Sequence, residues 1–273
     1  MSRGAKRRFG QHFLEPAWVT KVIRAIQPDP TETFLEIGPG RGALTAPLAA
    51  AAGSVLAFEI DRDLAAGLRR SAPLNLKVID GDFLDVTADG LSRELAQIGS
   101  PHAVRVAGNL PYNVASPILF ALGRLYAAGL PIVDATVMLQ REVAARLLAP
   151  VGTKEYGVLS VLVRHWADVT KVLSLPPGAF RPSPKVHSTV VRLRFHAPDP
   201  APASADVFAA LVQAVFTRRR KTLANALLAY PPSATLSPAR ALEQAGIDGR
   251  RRPETLAVAE LVGLADVFVP AVL

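Results

Sequence analysis

The sequence predicts an α/β domain built on a parallel sheet, followed by a small C-terminal all-helical domain. Three observations lead there. Short apolar strands alternate with helical stretches from residue 33 to about 195, the pattern of parallel strands joined by crossover helices. A glycine-rich turn, "GPGRG", lies between the first of these strands and the helix after it. Beyond a linker, "HAPDPAPASAD", with prolines at 198, 200 and 202, strand signal ceases and apolar residues recur at helical spacing.

The elements follow in order. "TFLEI" (33–37), "SVLAFEI" (54–60), "LKVID" (76–80), "AVRVAG" (103–108) and "DATVMLQ" (134–140) read as strands. Between the second and third lies "DRDLAAGLRRS", a helix that Asp61 is placed to cap. "VTKVLSL" and "HSTVVRLRF" are two β-rich runs joined by the proline-stiffened loop "PPGAFRPSPKV". After the linker, positions 207, 208, 211, 212, 215 and 216 are apolar, which gives a helix one buried face. The expected boundary falls between a domain of residues 1–197 and one of 198–273.

Composition narrows the function classes. Half of the residues are apolar and a fifth charged, as in a soluble enzyme. No apolar run reaches the roughly 18 residues that a membrane span needs. "MSRGAKRRFG" has no apolar segment after its basic residues, so a secretory signal is not expected and the cytoplasm is. The absence of cysteine excludes disulfides and thiolate metal sites. His12, His102, His165, His187 and His196 show no metal-ligand spacing, so no metal is expected. His165, beside Trp166, reads as a packed helix residue. The net charge of +8 is concentrated: Arg3, Lys6, Arg7 and Arg8 form one cluster, and Arg218, Arg219, Arg220 and Lys221 another. Clusters without acids suit a polyanion, because phosphate neutralisation releases counterions.

Gly38, Gly40 and Gly42 permit a tight turn and close approach of a ligand. Glu59 ends the next strand, where an acid accepts hydrogen bonds from ribose hydroxyls. To this point a nicotinamide dinucleotide and S-adenosylmethionine fit alike. Glu36 precedes the glycines, where its charge would repel a pyrophosphate and attract a cation. Asp82, with Phe83 beside it, follows the third strand within reach of an adenine edge. These acids favour S-adenosylmethionine.

The fourth strand runs into "GNLPYN", and the stretch 107–114 contains no His, Asp or Glu to act as a base. An amine conjugated to a ring needs orienting rather than deprotonating. The Asn109 side-chain oxygen and the Leu110 carbonyl suit its two N–H groups. Pro111 fixes the backbone, and Tyr112 offers a face to an extruded base.

Together "KRRFGQHFL", "LEIGPGRGALT", "FEIDRDL", "GDFL", "GNLPYNVASPILF", "MLQREVAARL", "FRPSPKVHSTVVRL" and "FTRRRKTLANAL" span nearly the whole chain. In order and spacing they resemble the small-subunit ribosomal RNA adenine dimethyltransferase family. That resemblance implies a class I S-adenosylmethionine-dependent methyltransferase (Rossmann-like) sheet. It implies dimethylation of the exocyclic amines of two adjacent adenosines in the 3′-terminal hairpin of 16S ribosomal RNA, linked to small-subunit biogenesis. By motif match, His12 and Leu14 close over the cofactor, Gly38 and Gly40 lie against it, Gly38 at its methionine part, Glu59 meets its ribose and Asp82 its adenine. Asn109 then faces the target amine, and Phe180 flanks the base opposite Tyr112. The resemblance further implies a monomer acting on small-subunit RNA or the 30S particle. The competing readings are an enzyme dimethylating large-subunit RNA, an assembly factor used for RNA binding alone, and a nicotinamide oxidoreductase.

Overall fold

The structure, a computed structural model, describes residues 13–99 and 103–270. It divides into two compact units, residues 1–144 with 168–195 and residues 145–167 with 196–273. Lys6, Arg7, Arg8 and His12 lie outside the described residues.

The first unit is a seven-stranded sheet in the order β4-β3-β2-β5-β6-β9-β7. Its strands are β2 (Thr33–Ile37), β3 (Ser54–Glu59), β4 (Leu76–Asp80), β5 (Val104–Asn109), β6 (Ile132–Gln140), β7 (Ala167–Leu175) and β9 (Ser188–Phe195). β4, β3, β2, β5 and β6 run parallel, and β9 pairs antiparallel with β6. A separate pair is formed by β1 (Phe13–Leu14) and β8 (Phe180–Arg181), with Leu14 opposite Phe180.

Helix α1 (Pro16–Ile26) precedes β2, and α2 (Thr45–Ala51), α3 (Arg62–Arg70), α4 (Ala88–Gln97) and α5 (Ala115–Ala127) make the crossovers. Pro16 opens α1, where a missing N–H costs nothing. Its Val22 and Ile26, one turn apart, enter a core with Phe34, Leu48, Val55, Ala107 and Met138. Asp61 caps α3 by accepting from the Asp63 and Leu64 N–H groups. Every residue of β2 is buried, as expected of a central parallel strand covered on both faces. β2 lies between β3 and β5, so the chain leaves it toward one side and returns later on the other. That is the topological switch of the sheet, where a crevice opens beyond the strand ends.

The second unit is helical. It holds α7 (Val158–Arg164), α8 (Ala205–Thr217), α9 (Leu223–Leu227), α10 (Pro238–Ala245) and α11 (Val258–Asp266); α6 (Arg141–Leu148) runs into it from the first. The sequence places the boundary at 197/198, whereas residues 145–167 group with the C-terminal helices. The cause is apolar: Tyr156 is fully buried and meets Phe216 of α8 edge-on at 6.1 Å, and its hydroxyl donates to the Leu256 carbonyl at 3.0 Å. His165 packs at 4.7 Å from the Phe208 ring, and its burial lowers its pKa. Ser204 caps α8 by accepting from the Val207 N–H.

Candidate active site

The ends of β2, β3 and β5 carry the predicted residues to one place. A cleft at the switch point is lined by Leu14, Glu36, Gly38, Gly40, Glu59, Asn109, Leu110, Pro111 and Tyr112, joined by Phe13 and Ile60. Its enclosed volume is about 90 Å³, and the rest of the cleft opens to solvent. Asp82 and Phe83 line an adjoining pocket with Phe58 and Asn113. The two share Gly38, Ile60 and Pro111. The site residues from four separate strand ends therefore border one continuous crevice.

Gly38 and Gly40 adopt φ of 69° and 62°, in the left-handed region that side chains resist. The Gly40 N–H donates to Glu59 Oε2 at 2.8 Å, which ties the glycine turn to the end of β3. A Cβ on Gly40 would stand 3.4 Å from the Phe13 ring. Phe13 is covered in turn by the Arg41 guanidinium at 4.3 Å from its centroid. The Glu59 Oε1 atom accepts from the Asp61 N–H at 2.9 Å. Burial raises the Glu59 pKa, and the backbone N–H groups of Asp61, Gly40 and Ile60 oppose that rise.

Glu36 is the more unusual acid. It lies in the fully buried central strand at 1% exposure, and its Oε2 has no hydrogen-bond partner. Burial pushes its pKa up to about 7, assisted by the nearby Glu59 charge. Thr45 approaches closely enough to favour the charged form, yet Thr45 Oγ1 closes no hydrogen bond of normal geometry. Two acids in one cleft wall, one of them unsatisfied, prefer a cationic ligand and disfavour a pyrophosphate. That donor set fits a sulfonium cofactor carrying an ammonium group.

In the second pocket, Asp82 Oδ1 accepts from the Leu84 N–H at 2.9 Å. Phe83 is buried and meets the Phe58 ring edge-on at 5.7 Å. At the end of β5, Leu110 donates its N–H to the Met138 carbonyl at 3.2 Å, which anchors the turn that Pro111 then stiffens. The Tyr112 hydroxyl shares a 2.8 Å hydrogen bond with Ser188 Oγ. Burial raises the Tyr112 pKa. Ser188 is fully buried, and sequence reasoning misses it. Its only signal is a serine opening the strand "HSTVVRL", and nothing local links it to a tyrosine 76 residues earlier.

Phe180, expected to flank the base opposite Tyr112, shares a core cluster with Leu14, which lines the cleft. Its ring is fully buried in the core with Ile26, Phe34 and Leu175 and is not among the residues lining the cleft. The β1–β8 pairing sets Phe180 opposite Leu14. In the second unit, Arg218, Arg220 and Lys221 are exposed, while half-buried Arg219 donates from Nη1 to the Lys154 carbonyl at 2.6 Å.

Comparison with known proteins agrees with this geometry. The family model for ribosomal RNA adenine dimethylase matches residues 3–265. The ribosomal RNA small subunit methyltransferase A of Nitrosococcus oceani is 42% identical over 271 residues, covering 98% of this chain and 97% of that one. The protein of the same name from Acinetobacter baylyi is 40% identical over 97% of this chain and 93% of its own. Among solved structures, a dimethyladenosine transferase from Plasmodium falciparum superposes with a TM-score of 0.74 at 26% identity, covering 93% of this chain and 96% of that one. The 23S rRNA methyltransferase ErmE superposes with a TM-score of 0.63 at 26% identity over 94% of this chain and 99% of its own. With its matched length, its fold and its strand-end motif in agreement, the chain belongs to the ribosomal RNA adenine dimethylase family.

Proposed function

We propose that this chain uses S-adenosylmethionine to dimethylate the exocyclic amines of two adjacent adenosines in the 3′-terminal hairpin of 16S ribosomal RNA. The observation that carries the reading is the Asn109–Tyr112 turn, which faces an acid-lined cleft at the switch point and contains no His, Asp or Glu. Relatives at 40–42% identity named for the small subunit support that target over the large-subunit RNA named for the 26% identical ErmE.

Bound in the cleft, S-adenosylmethionine supplies a methyl group on a positively charged sulfur. The chain's own residues do the rest. Glu59, oriented by the Gly40 and Asp61 N–H groups, receives the ribose hydroxyls. Asp82 takes the adenine edge, and Leu14, with His12 before it, closes the arm over the site. Asn109 and the Leu110 carbonyl accept the two N–H groups of the target amine, which turns its lone pair toward the methyl. After one transfer, with one amine proton lost to solvent, a single N–H remains, and the same acceptors hold it for the second. Tyr112 stacks on the base, fixed by Ser188. Phe180 supports β1 from the core through its pairing with Leu14. Arg7, Arg8 and the cluster Arg218 to Lys221 contact RNA phosphates. The enzyme acts as a monomer in the cytoplasm, on the 30S particle or its RNA. Among the described residues no helix is long and apolar enough to cross a membrane.

The test offers methyl-labelled S-adenosylmethionine with undermethylated small subunits, large subunits and naked RNA, and maps products by reverse-transcriptase stops. Stops at two neighbouring adenosines near the 3′ end of 16S RNA are expected. Label confined to large-subunit RNA contradicts the proposal.

A further inference from the structure

The turn from Asn109 to Tyr112 is held at two points, and both refer to the same strand. At its start the Leu110 N–H donates to the Met138 carbonyl of β6 at 3.2 Å, while Asn109 pairs with Met138 in the parallel ladder. At its end the Tyr112 hydroxyl shares a 2.8 Å hydrogen bond with Ser188 Oγ. Ser188 is itself firmly placed. It is fully buried and opens β9 opposite Gln140 of β6. The His187 carbonyl before it accepts from the Arg141 N–H at 2.9 Å. The amine acceptors and the phenol ring are therefore fixed to β6 by separate routes, one direct and the other through β9. Ser188 ties the far end of the turn to the element that ties its near end.

Two successive methyl transfers ask different things of that geometry. In each, the amine nitrogen bonds to the methyl carbon as the sulfur–carbon bond breaks, its electron pair going to sulfur, and one amine proton leaves to solvent. Before the first transfer the amine has two N–H groups for two acceptors, the Asn109 side-chain oxygen and the Leu110 carbonyl. Before the second it has one. One acceptor then faces a methyl, and a single hydrogen bond fixes the amine less well than a pair. The stacked ring carries a larger share of the orientation, so its tether matters more. We propose that Ser188 is a positioning residue for the second methyl transfer, acting through the Tyr112 hydroxyl, and so sets how far each adenosine proceeds from monomethyl to dimethyl. A lost neutral hydrogen bond is worth about a fivefold change in rate where little else shares its task, and less where two other bonds do. This inference rests on the reading of the Asn109–Tyr112 turn as the holder of an adenine amine.

Undermethylated small subunits, reacted with excess full-length enzyme and S-adenosylmethionine and followed through time by nucleoside mass spectrometry, resolve N6-methyladenosine from N6,N6-dimethyladenosine and give a rate for each step. Ser188→Ala should slow the first transfer by no more than about twofold and the second about fivefold, so that the monomethyl product accumulates. Tyr112→Phe breaks the same bond from the other side, leaves β9 intact, and should give the same imbalance even if Ser188→Ala folds poorly. The double variant should add little to either single one. Equal slowing of both transfers overturns the inference, since a merely structural role would move them together. An imbalance in Ser188→Ala that Tyr112→Phe lacks overturns it by denying the route through the hydroxyl. An unchanged ratio of monomethyl to dimethyl product in both variants overturns it while leaving the amine-site reading intact. If the unaltered protein methylates no adenine amine, that reading falls and this inference with it.

Discussion

Among single residues, Tyr112 has two separable parts, a ring face proposed to hold the base and a hydroxyl tied to buried Ser188 at 2.8 Å. Tyr112→Phe keeps the face and removes the tie. Turnover should fall only a few-fold, whereas Tyr112→Ala should lose about 100-fold or more through poorer positioning. Equal losses in the two variants would mean that the hydroxyl, not the ring, does the work. Glu36 carries a second prediction at this level, on stability. Its carboxyl titrates near 4.5 when unfolded and at about 7 when folded. Between those values the folded chain holds the extra proton, so stability declines as pH rises from about 4.5 to about 7 and stays lower above. Glu36→Gln removes that decline, so its melting temperature should gain more over the parent at pH 8 than at pH 4.5. A difference that does not change with pH would contradict the assignment.

Elements owe their placement to interactions that mostly cross long stretches of sequence. Arg105 on β5 is an example: its Nη2 donates to the Ile26 carbonyl and Asp134 Oδ2, both at 2.9 Å. Its Nη1 donates to the Gln27 carbonyl at 3.0 Å and to Glu32 Oε2 at 2.8 Å. The guanidinium thus closes the carbonyl end of α1, the helix that carries β1 to the cleft, where cationic side chains are favoured. Arg105→Ala takes the bidentate partner from buried Asp134, leaving Arg192 at 3.7 Å as its remaining cation, and should cost about 3 kcal/mol in denaturant unfolding. A loss below about 1 kcal/mol would class it with surface ion pairs. None of this is legible in "AVRVAG", because the partners lie up to 79 residues away. The strands themselves are legible: "TFLEI" and "LKVID" coincide with β2 and β4, since buried parallel strands write continuous apolar runs. The antiparallel insertion of β9 between β6 and β7 is not, as a β-rich run carries no sign of its neighbour. Likewise Asn109 to Tyr112 stand out by the base they lack, while Phe180 and Ser188 depend on strand pairings.

In the molecule as a whole, the helical character of the C-terminal residues is readable from apolar spacing. The recruitment of 145–167 is not, because a seven-residue apolar helix such as α7 reads equally as a buried strand. Within that unit the exposed Arg218, Arg220 and Lys221 are proposed to contact RNA phosphates. Reversing their charge should weaken RNA binding and shallow its salt dependence by about 0.7–0.9 for each phosphate no longer neutralised. An unchanged slope would return the cluster to an ordinary solvated surface. On the proposed reading, one cleft orients an adenine amine for two successive methyl transfers at each of two adenosines. Nucleoside mass spectrometry of undermethylated small subunits, after exhaustive reaction with labelled S-adenosylmethionine, reads that outcome without an intermediate step. Four methyl groups per particle are expected, all in N6,N6-dimethyladenosine, and none with Asn109→Ala despite retained cofactor binding. Label at a ring nitrogen or a ribose hydroxyl, or undiminished transfer by Asn109→Ala, would contradict it.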